Sequence, residues 1–285
     1  MSVDELSVWT GGALLHTRER AAGRSAEDRD AVLAADSWLV VDGRVRAMAL
    51  HRDRFFRAVA DAGWPGGAGS GGAVSDGAAF RGAGSDDELE AFWAAVVAAL
   101  PRQGAWFPRV ELVQTSEGPR LRLLLRRAPE QTRSVVVATA VDGDTRQRPT
   151  VKGPDLARMA TAREGVASLG AQEAVILTSE GFVVEGAYSG LLWWRGSILC
   201  GPLDTFERVD SVTVRSVLAL ATAMGIETYQ EAVTPAELDG TELWALSALH
   251  GARIVTRWVD GPALAELPGR LASWQARLGA LRQPL

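Results

Sequence analysis

The stretch RPTVKGPDLARM, residues 148–159, contains the only lysine in the chain; the other 29 of its 30 basic residues are arginine. On a solvated surface the two side chains substitute for one another. A bias toward arginine therefore erases lysines except where an amine does something a guanidinium cannot. A guanidinium stays protonated, whereas an amine can lose its proton and bond covalently to a carbonyl carbon. Lys152 is thus either a chance survivor on a loop or a reactive group. Its neighbours suit the mouth of a helix: Pro154 and Asp155 can open one running to about Leu169, with Leu156, Met159, Ala160, Arg163 and Ala167 at helical spacing.

Working toward the N-terminus, SVVVATAV (134–141) reads as a buried strand and APEQTR (128–133) as a linker. Before it, RVELVQTSEGPRLRLLLRRA reads as a hairpin turning at Ser116-Glu117-Gly118-Pro119. SDDELEAFWAAVVAAL reads as a helix capped by Ser85 or Asp86, with Leu89, Phe92, Trp93, Val96 and Leu100 as its apolar stripe. Residues 63–84 hold nine glycines and read as a flexible surface insertion. HRDRFFRAVADAG looks helical, with Phe55, Val59 and Ala62 on one face. Residues 35–50 read as two short strands about an Asp42-Gly43 turn.

Toward the C-terminus, EAVILT, FVVEG, LLWWR and SILC read as strands. VDSVTVRSVLALATAMGI reads as a helix capped by Asp210 or Ser211, burying Val214, Val217, Leu218 and Ala221. ELWALSAL is a further strand, and ALAELPGRLASWQARLGAL a terminal helix with a break at Pro268-Gly269. Strands and helices mix in both halves. The expected fold class is α+β or α/β with two domains: a smaller one over 1–127, the linker 128–133, and a larger one over 134–285.

Composition narrows the function. The 285 residues are 47% hydrophobic, enough for two sizeable cores. A net charge of −5 speaks against a nucleic-acid partner. No run of 18 apolar residues is present, so no membrane span is expected, and MSVDELSVWT lacks a signal-peptide pattern. The single cysteine, Cys200, fits a reducing cytoplasm. His16, His51 and His250 are too scattered for a metal site.

The order of features around Lys152 resembles the fold-type-IV pyridoxal-phosphate (PLP) enzymes. That group comprises the class IV aminotransferases, among them branched-chain and D-amino-acid aminotransferase, together with aminodeoxychorismate lyase. The resemblance spans about residues 30–260. It rests on Lys152 at a helix mouth, on VVEG placing Glu185 33 residues later, on VDSVT opening the next helix, and on the small-residue loop LSALHG. It implies a two-domain PLP fold and assigns roles. Lys152 would carry the cofactor as a Schiff base and act as general base. Glu185 would face the pyridine nitrogen and favour its protonated form. Arg54, in His51-Arg-Asp-Arg54, would bind phosphate together with the first-turn N–H groups of Val212 and Thr213 and the backbone at Ser247 and Ala248. A homodimer is implied as well, with the ten tryptophans offered as apolar interface area.

The chain also departs from that pattern. Gly190 stands where relatives often carry Asn, and Val214 where the phosphate helix often carries Arg. No pocket-lining aromatic is evident near AADSW; Trp38 either compensates or fills the core. Arg109, Arg120 and Arg122 are candidates for the substrate carboxylate. The expected function is a class IV aminotransferase acting on an amino acid or amino-acid-like small-molecule substrate, without nucleic acid, membrane or metal. The alternatives are aminodeoxychorismate lyase, releasing pyruvate and p-aminobenzoate, and a non-catalytic member of the fold.

Overall fold

A computed structural model describes residues 5–17, 30–64 and 85–285. Most of the glycine-rich stretch lies outside the described residues. The chain forms two compact units: the first comprises Met1–Pro129, Val151–Pro154 and Gln283–Leu285, the second Glu130–Thr150 and Asp155–Arg282.

In the first unit the elements run β1 (Glu5–Trp9), β2 (Leu14–Thr17), β3 (Ala31–Ser37), β4 (Val40–Val41), β5 (Arg44–Arg46), α1 (Met48–Asp61), α2 (Asp86–Ala99), β6 (Ala105–Trp106), β7 (Arg109–Thr115) and β8 (Gly118–Leu125). Strands β2-β1-β8-β7-β3 make an antiparallel sheet. One face carries alternate apolar residues such as Ala34, Trp38, Val110, Leu112, Leu121 and Leu123, and α1 and α2 supply Phe55, Val59, Phe92 and Val96 to the same core. The β4–β5 hairpin turns where expected, because Asp42 and Gly43 both take positive φ (47° and 69°), which matches the twist of a two-residue turn. Helix α2 starts where its sequence says: Ser85 Oγ accepts from Glu88 N, a cap worth about 1 kcal/mol.

The second unit contains β9 (Ser134–Thr139), α3 (Leu156–Ala167), β10 (Glu173–Leu177), β11 (Val183–Gly186), β12 (Gly190–Arg195), β13 (Ile198–Pro202), α4 (Val212–Ala223), β14 (Thr228–Glu231), β15 (Glu242–Ser247), β16 (Gly251–Val259) and α5 (Arg270–Ala280). Its mixed sheet runs β11-β10-β9-β16-β15-β12-β13-β14. The LLWW run is buried on both faces. Leu191 and Trp193 join one core, while Leu192 and Trp194 join another with Val217 of α4 and Trp274 of α5. A final strand, β17 (Arg282–Pro284), edges a small sheet with β5, β4 and β6.

Several expectations shift. The terminal helix begins only at Arg270: Gly269 adopts φ 83°, and the preceding ALAELP segment is not helical despite its apolar spacing. In α3 the buried side chains are Met159 and Val166, and in α4 Val212, Thr213 and Ser216 join Val217 and Ala221 while Val214 and Leu218 are only partly buried. Trp38 is wholly buried and packs 5.2 Å from Trp93, so it fills the core. Nine of the ten tryptophans are buried within the chain, which removes them as free interface area. Among the described residues no helix is long and apolar enough to cross a membrane.

Candidate active site

Lys152 is half-buried on a strap whose backbone is tightly held. In the first unit, Ala35 N donates to Lys152 O at 2.7 Å, and Val151 inserts into the core. Gly153 has φ 134°, and a Cβ there would meet Ala35 N at 2.7 Å and Ala34 C at 2.8 Å, so only glycine lets the strap lie on β3. In the second unit the Asp155 carboxylate accepts from Gln147 N at 2.9 Å and Arg148 N at 2.8 Å, closing the loop that carries the lysine. Asp155 precedes α3 as expected, but its side chain makes no cap bond to that helix.

Arg54 lies on α1 of the first unit. Its Nε and Nη2 donate to the two oxygens of Asp36 at 2.7 and 2.8 Å, and His51 Nδ1 lies 2.8 Å from the same carboxylate. Asp36 is fully buried. Burial alone would raise its pKa, but Arg54 and His51 outweigh that and hold it well below the usual carboxylate range. Burial lowers the His51 pKa against the pull of Asp36.

Glu185 lies on the edge strand β11, paired in register with Ile176, and is only 7% exposed. Its Oε1 accepts from Arg146 Nη1, and Arg146 also grips Asp144 through Nε (2.8 Å) and Nη2 (2.7 Å). The Arg146 side chain is 5% exposed, so this cation is held against Glu185 away from water. The turn after Glu185 is fixed by a second acid: Glu173 accepts from Ser189 Oγ (3.0 Å) and Tyr188 N (3.2 Å).

The expected phosphate residues of the second unit converge in part. Ser211 Oγ caps α4 at Val214 N (3.3 Å), and Thr213 is 1% exposed in the first turn. Gly190 pairs with Leu246, next to Ser247. A Cβ on Gly190 would meet Val214 Cγ2 at 2.5 Å, so the two departures from the family pattern fit one another: the valine methyl fills space that a longer residue at 190 would need. Ser247 Oγ accepts from His250 N at 3.2 Å and so tightens the β15–β16 turn through Ala248. A cavity of about 550 Å³ in this unit is lined by Thr150, Gly190, Val209, Ser211 and Val214, among others.

Asp36, Arg146, Gly153 and Glu173 escaped the sequence reading. Gly153 alone had a local signal, a glycine directly after the sole lysine. Of the carboxylate candidates, Arg120 is 43% exposed and pairs with Glu117. Arg109 and Arg122 flank Glu111 on the sheet face opposite the core, with Glu111 and Arg122 directly paired. Arg109 Nη2 is 2.6 Å from Glu111 Oε1, an ion-pair contact without hydrogen-bond alignment. Arg109 Nε, Glu111 Oε1 and Arg122 Nε are buried without hydrogen-bond partners.

A family model described as amino-transferase class IV matches residues 89–258. A search of curated proteins finds no match. Solved structures with the same fold include a branched-chain aminotransferase from Thermoproteus uzoniensis with norvaline (17% identity, TM-score 0.76, 100% of this chain and 99% of that one). Another is the fold IV-transaminase CpuTA1 from Curtobacterium pusillum (17% identity, TM-score 0.75, 97% of each chain). A third is a putative 4-amino-4-deoxychorismate lyase from Legionella pneumophila (14% identity, TM-score 0.70, 92% of this chain and 97% of that one).

Proposed function

Because the chain belongs to the class IV aminotransferase family, we propose that it is a PLP-dependent aminotransferase for an amino acid or amino-acid-like substrate. The observation that supports this most is the buried contact of Arg146 with Glu185, a carboxylate held by a guanidinium away from water. The residues suit PLP: the lysine strap is rigid, α4 opens with a capped first turn, and the glycine at 190 accommodates that turn. When bound, PLP supplies an aldehyde for amines and an electron sink for the substrate α-carbon.

On this reading Lys152 Nζ holds the cofactor covalently and then moves a proton at the substrate α-carbon. Glu185 keeps a proton on the ring nitrogen by offering it a charged partner. The N–H groups of Val212 and Thr213, the Thr213 hydroxyl and the backbone at Ser247 and Ala248 bind phosphate, as does Arg54. The row Arg109–Glu111–Arg122 receives the substrate carboxylate, since the buried Nε atoms of Arg109 and Arg122 make no hydrogen bond, while Arg122 Nη2 pairs with Asp30. A homodimer, on the family alone, and a cytoplasmic location, on the single cysteine, complete the reading.

Borohydride reduction of the PLP-loaded protein, followed by digestion, tests the anchor; the adduct is expected on Lys152. An adduct elsewhere sinks the reading. The same protein is then mixed with a panel of D- and L-amino acids and with aminodeoxychorismate. Pyruvate and p-aminobenzoate from the last, with no amino transfer, would make it a lyase. Lys152→Arg should fail as fully as Lys152→Ala, because a guanidinium cannot attack the aldehyde.

A further inference from the structure

The cavity of about 550 Å³ lies wholly within the second unit, between α4 and strands β12, β13 and β14. Glu185, Val212, Thr213, Ser247 and Ala248, the residues of this unit read above as facing the cofactor, do not line it. Its volume is that of a small-molecule site, roughly 300–1,000 Å³. One wall is the segment from Asp204 to Ser211, and this wall is tied down. Arg208 Nη1 donates to the carbonyls of Leu203 and Phe206, and Arg208 Nη2 donates to Pro202 O at 3.2 Å. Asp204 N donates to Gln230 Oε1 on β14 at 3.2 Å, and the Phe206 ring stacks on Phe182 with centroids 6.1 Å apart. A wall held in this way spares an occupant the entropy of ordering it.

We propose that this cavity is a second, non-covalent binding site, and that it takes a small organic cation with an apolar body. The inference stands apart from the functional reading above and does not depend on it. The lining decides the chemistry. Leu191, Leu192 and Pro202 are buried, and Val214 and Leu218 are half-buried, so the inner surface suits an apolar body. The charged lining residues are Asp204, Glu207 and Asp210 against Arg208 and Arg215. Both arginines are engaged: Arg208 Nη2 bonds to Asp204 at 3.0 Å and Arg215 Nη1 to Asp210 at 3.2 Å. The charge left over is the exposed carboxylate of Glu207, so the mouth favours a positive end. Tyr229, 61% exposed on β14, lines the same mouth and offers a ring face to a cation. An anion would meet the unbalanced carboxylate, and an uncharged ligand would leave it unused.

The probe is benzyltrimethylammonium, a quaternary cation with no N–H and therefore unable to form an imine with PLP. Its binding to the full-length, PLP-loaded protein is followed by saturation-transfer NMR and titrated for a dissociation constant. Saturation should reach both the phenyl and the methyl protons. Leu218→Trp fills the cavity from α4 and should abolish binding; Thr228→Trp fills it from the exposed strand β14 and serves if the first variant does not fold. Glu207→Gln and Tyr229→Ala should each weaken binding about 2- to 5-fold, the scale of an exposed ion pair or cation–π contact. No saturation transfer at millimolar probe overturns the proposal. Binding that survives a folded cavity-filling variant overturns it too, because the cation then sits elsewhere. If filling abolishes binding while Glu207→Gln and Tyr229→Ala both bind as the wild type does, the cavity takes apolar groups without regard to charge and the assignment to a cation is wrong.

Discussion

Asp36 in the first unit and Glu173 in the second are both shut away from water, at 0% and 1% exposure, and each has two cationic-type side chains beside it. Their protonation goes in opposite directions. Asp36 is held well below the ordinary carboxylate range: burial raises it, but Arg54 and His51 prevail. Glu173 is pushed above that range, because burial prevails over Arg163 and Arg253. The basic partners differ in contact. Arg54 and His51 bond to Asp36 at 2.7–2.8 Å, whereas Arg163 Nε and Arg253 Nη2 each stop 3.9 Å from a Glu173 oxygen. Coulomb attraction falls only as the inverse of distance, so that gap alone is a modest loss. What Glu173 lacks is the aligned, two-point hydrogen bond to a cation. It accepts instead from Ser189 Oγ and from the N–H groups of Tyr188 and Ala174, which are dipoles rather than charges. A buried acid is kept ionised by a cation in hydrogen-bond contact, and proximity is not a substitute.

The sharpest way to break this contrast is Asp36→Asn. It leaves Arg54 buried without a counter-charge, and loss of one partner of a buried pair costs about 3–5 kcal/mol. Urea unfolding of the apoprotein at pH 7 reads it. Because the folded pKa is depressed, the stability from Asp36 is fully present above its unfolded pKa of about 4 and is lost as pH falls through the folded value. The gap between wild type and variant should therefore narrow below about pH 4; a constant gap would mean the aspartate acts by shape.

Glu185 is the intermediate case, a nearly buried acid in contact with one cation, Arg146. Glu185→Gln keeps the shape and removes the charge that, on the proposed reading, faces the ring nitrogen. Turnover at saturating PLP should fall about 10²-fold, the scale of a removed catalytic electrostatic contact. Unchanged turnover would assign the ring nitrogen to another group.

Glu173→Gln should cost much less than Asp36→Asn, about 1 kcal/mol, because the neutral form already suits the site. Here the sign is reversed. The folded pKa is raised, so the contribution is present at low pH and lost as pH rises through the folded value. The variant should gain on the wild type as pH rises above the unfolded glutamate value of about 4.3; a loss on raising the pH would show that Glu173 is ionised and that contact distance is not what separates the two acids.

These partnerships also mark where the sequence stops being readable. Helix starts at Ser85 and Ser211, the Asp42-Gly43 turn and the doubly buried LLWW strand follow from neighbouring residues, and each was legible. The Lys152, Glu185 and Thr213 motifs carried the family resemblance through order and spacing. Arg146 was not, since its partner is 39 residues away, nor was Asp36, 18 residues from Arg54, because only the fold decides which charges meet. Strand β16, GARIVTRWV, was missed because its charged residues at 253 and 257 interrupt the apolar run, yet Arg253 is 7% exposed and lies beside Glu173. The terminal helix was drawn too long because ALAELP has helical spacing, while Pro268 and Gly269 restart the backbone.

The smallest effect belongs to Arg163. Its side chain is 38% exposed; Nε donates to Gln172 O at 3.0 Å, and the guanidinium lies 4.5 Å over the Tyr188 ring. A partly exposed cation that stops short of its acid contributes little, so Arg163→Gln should change unfolding stability by less than about 1 kcal/mol. It still removes the larger of the two charges that oppose the upward shift of Glu173. The Glu173 titration, followed by carbon-13 NMR of its carboxyl, should therefore move further up while global stability barely changes. That separation is the decisive feature: around Asp36 the charge that sets the protonation state is also the one that holds the fold, and around Glu173 the two roles come apart. If Arg163→Gln costs as much as Asp36→Asn, or leaves the Glu173 titration where it was, the 3.9 Å pair is a full partner and hydrogen-bond contact is not what divides the two buried acids.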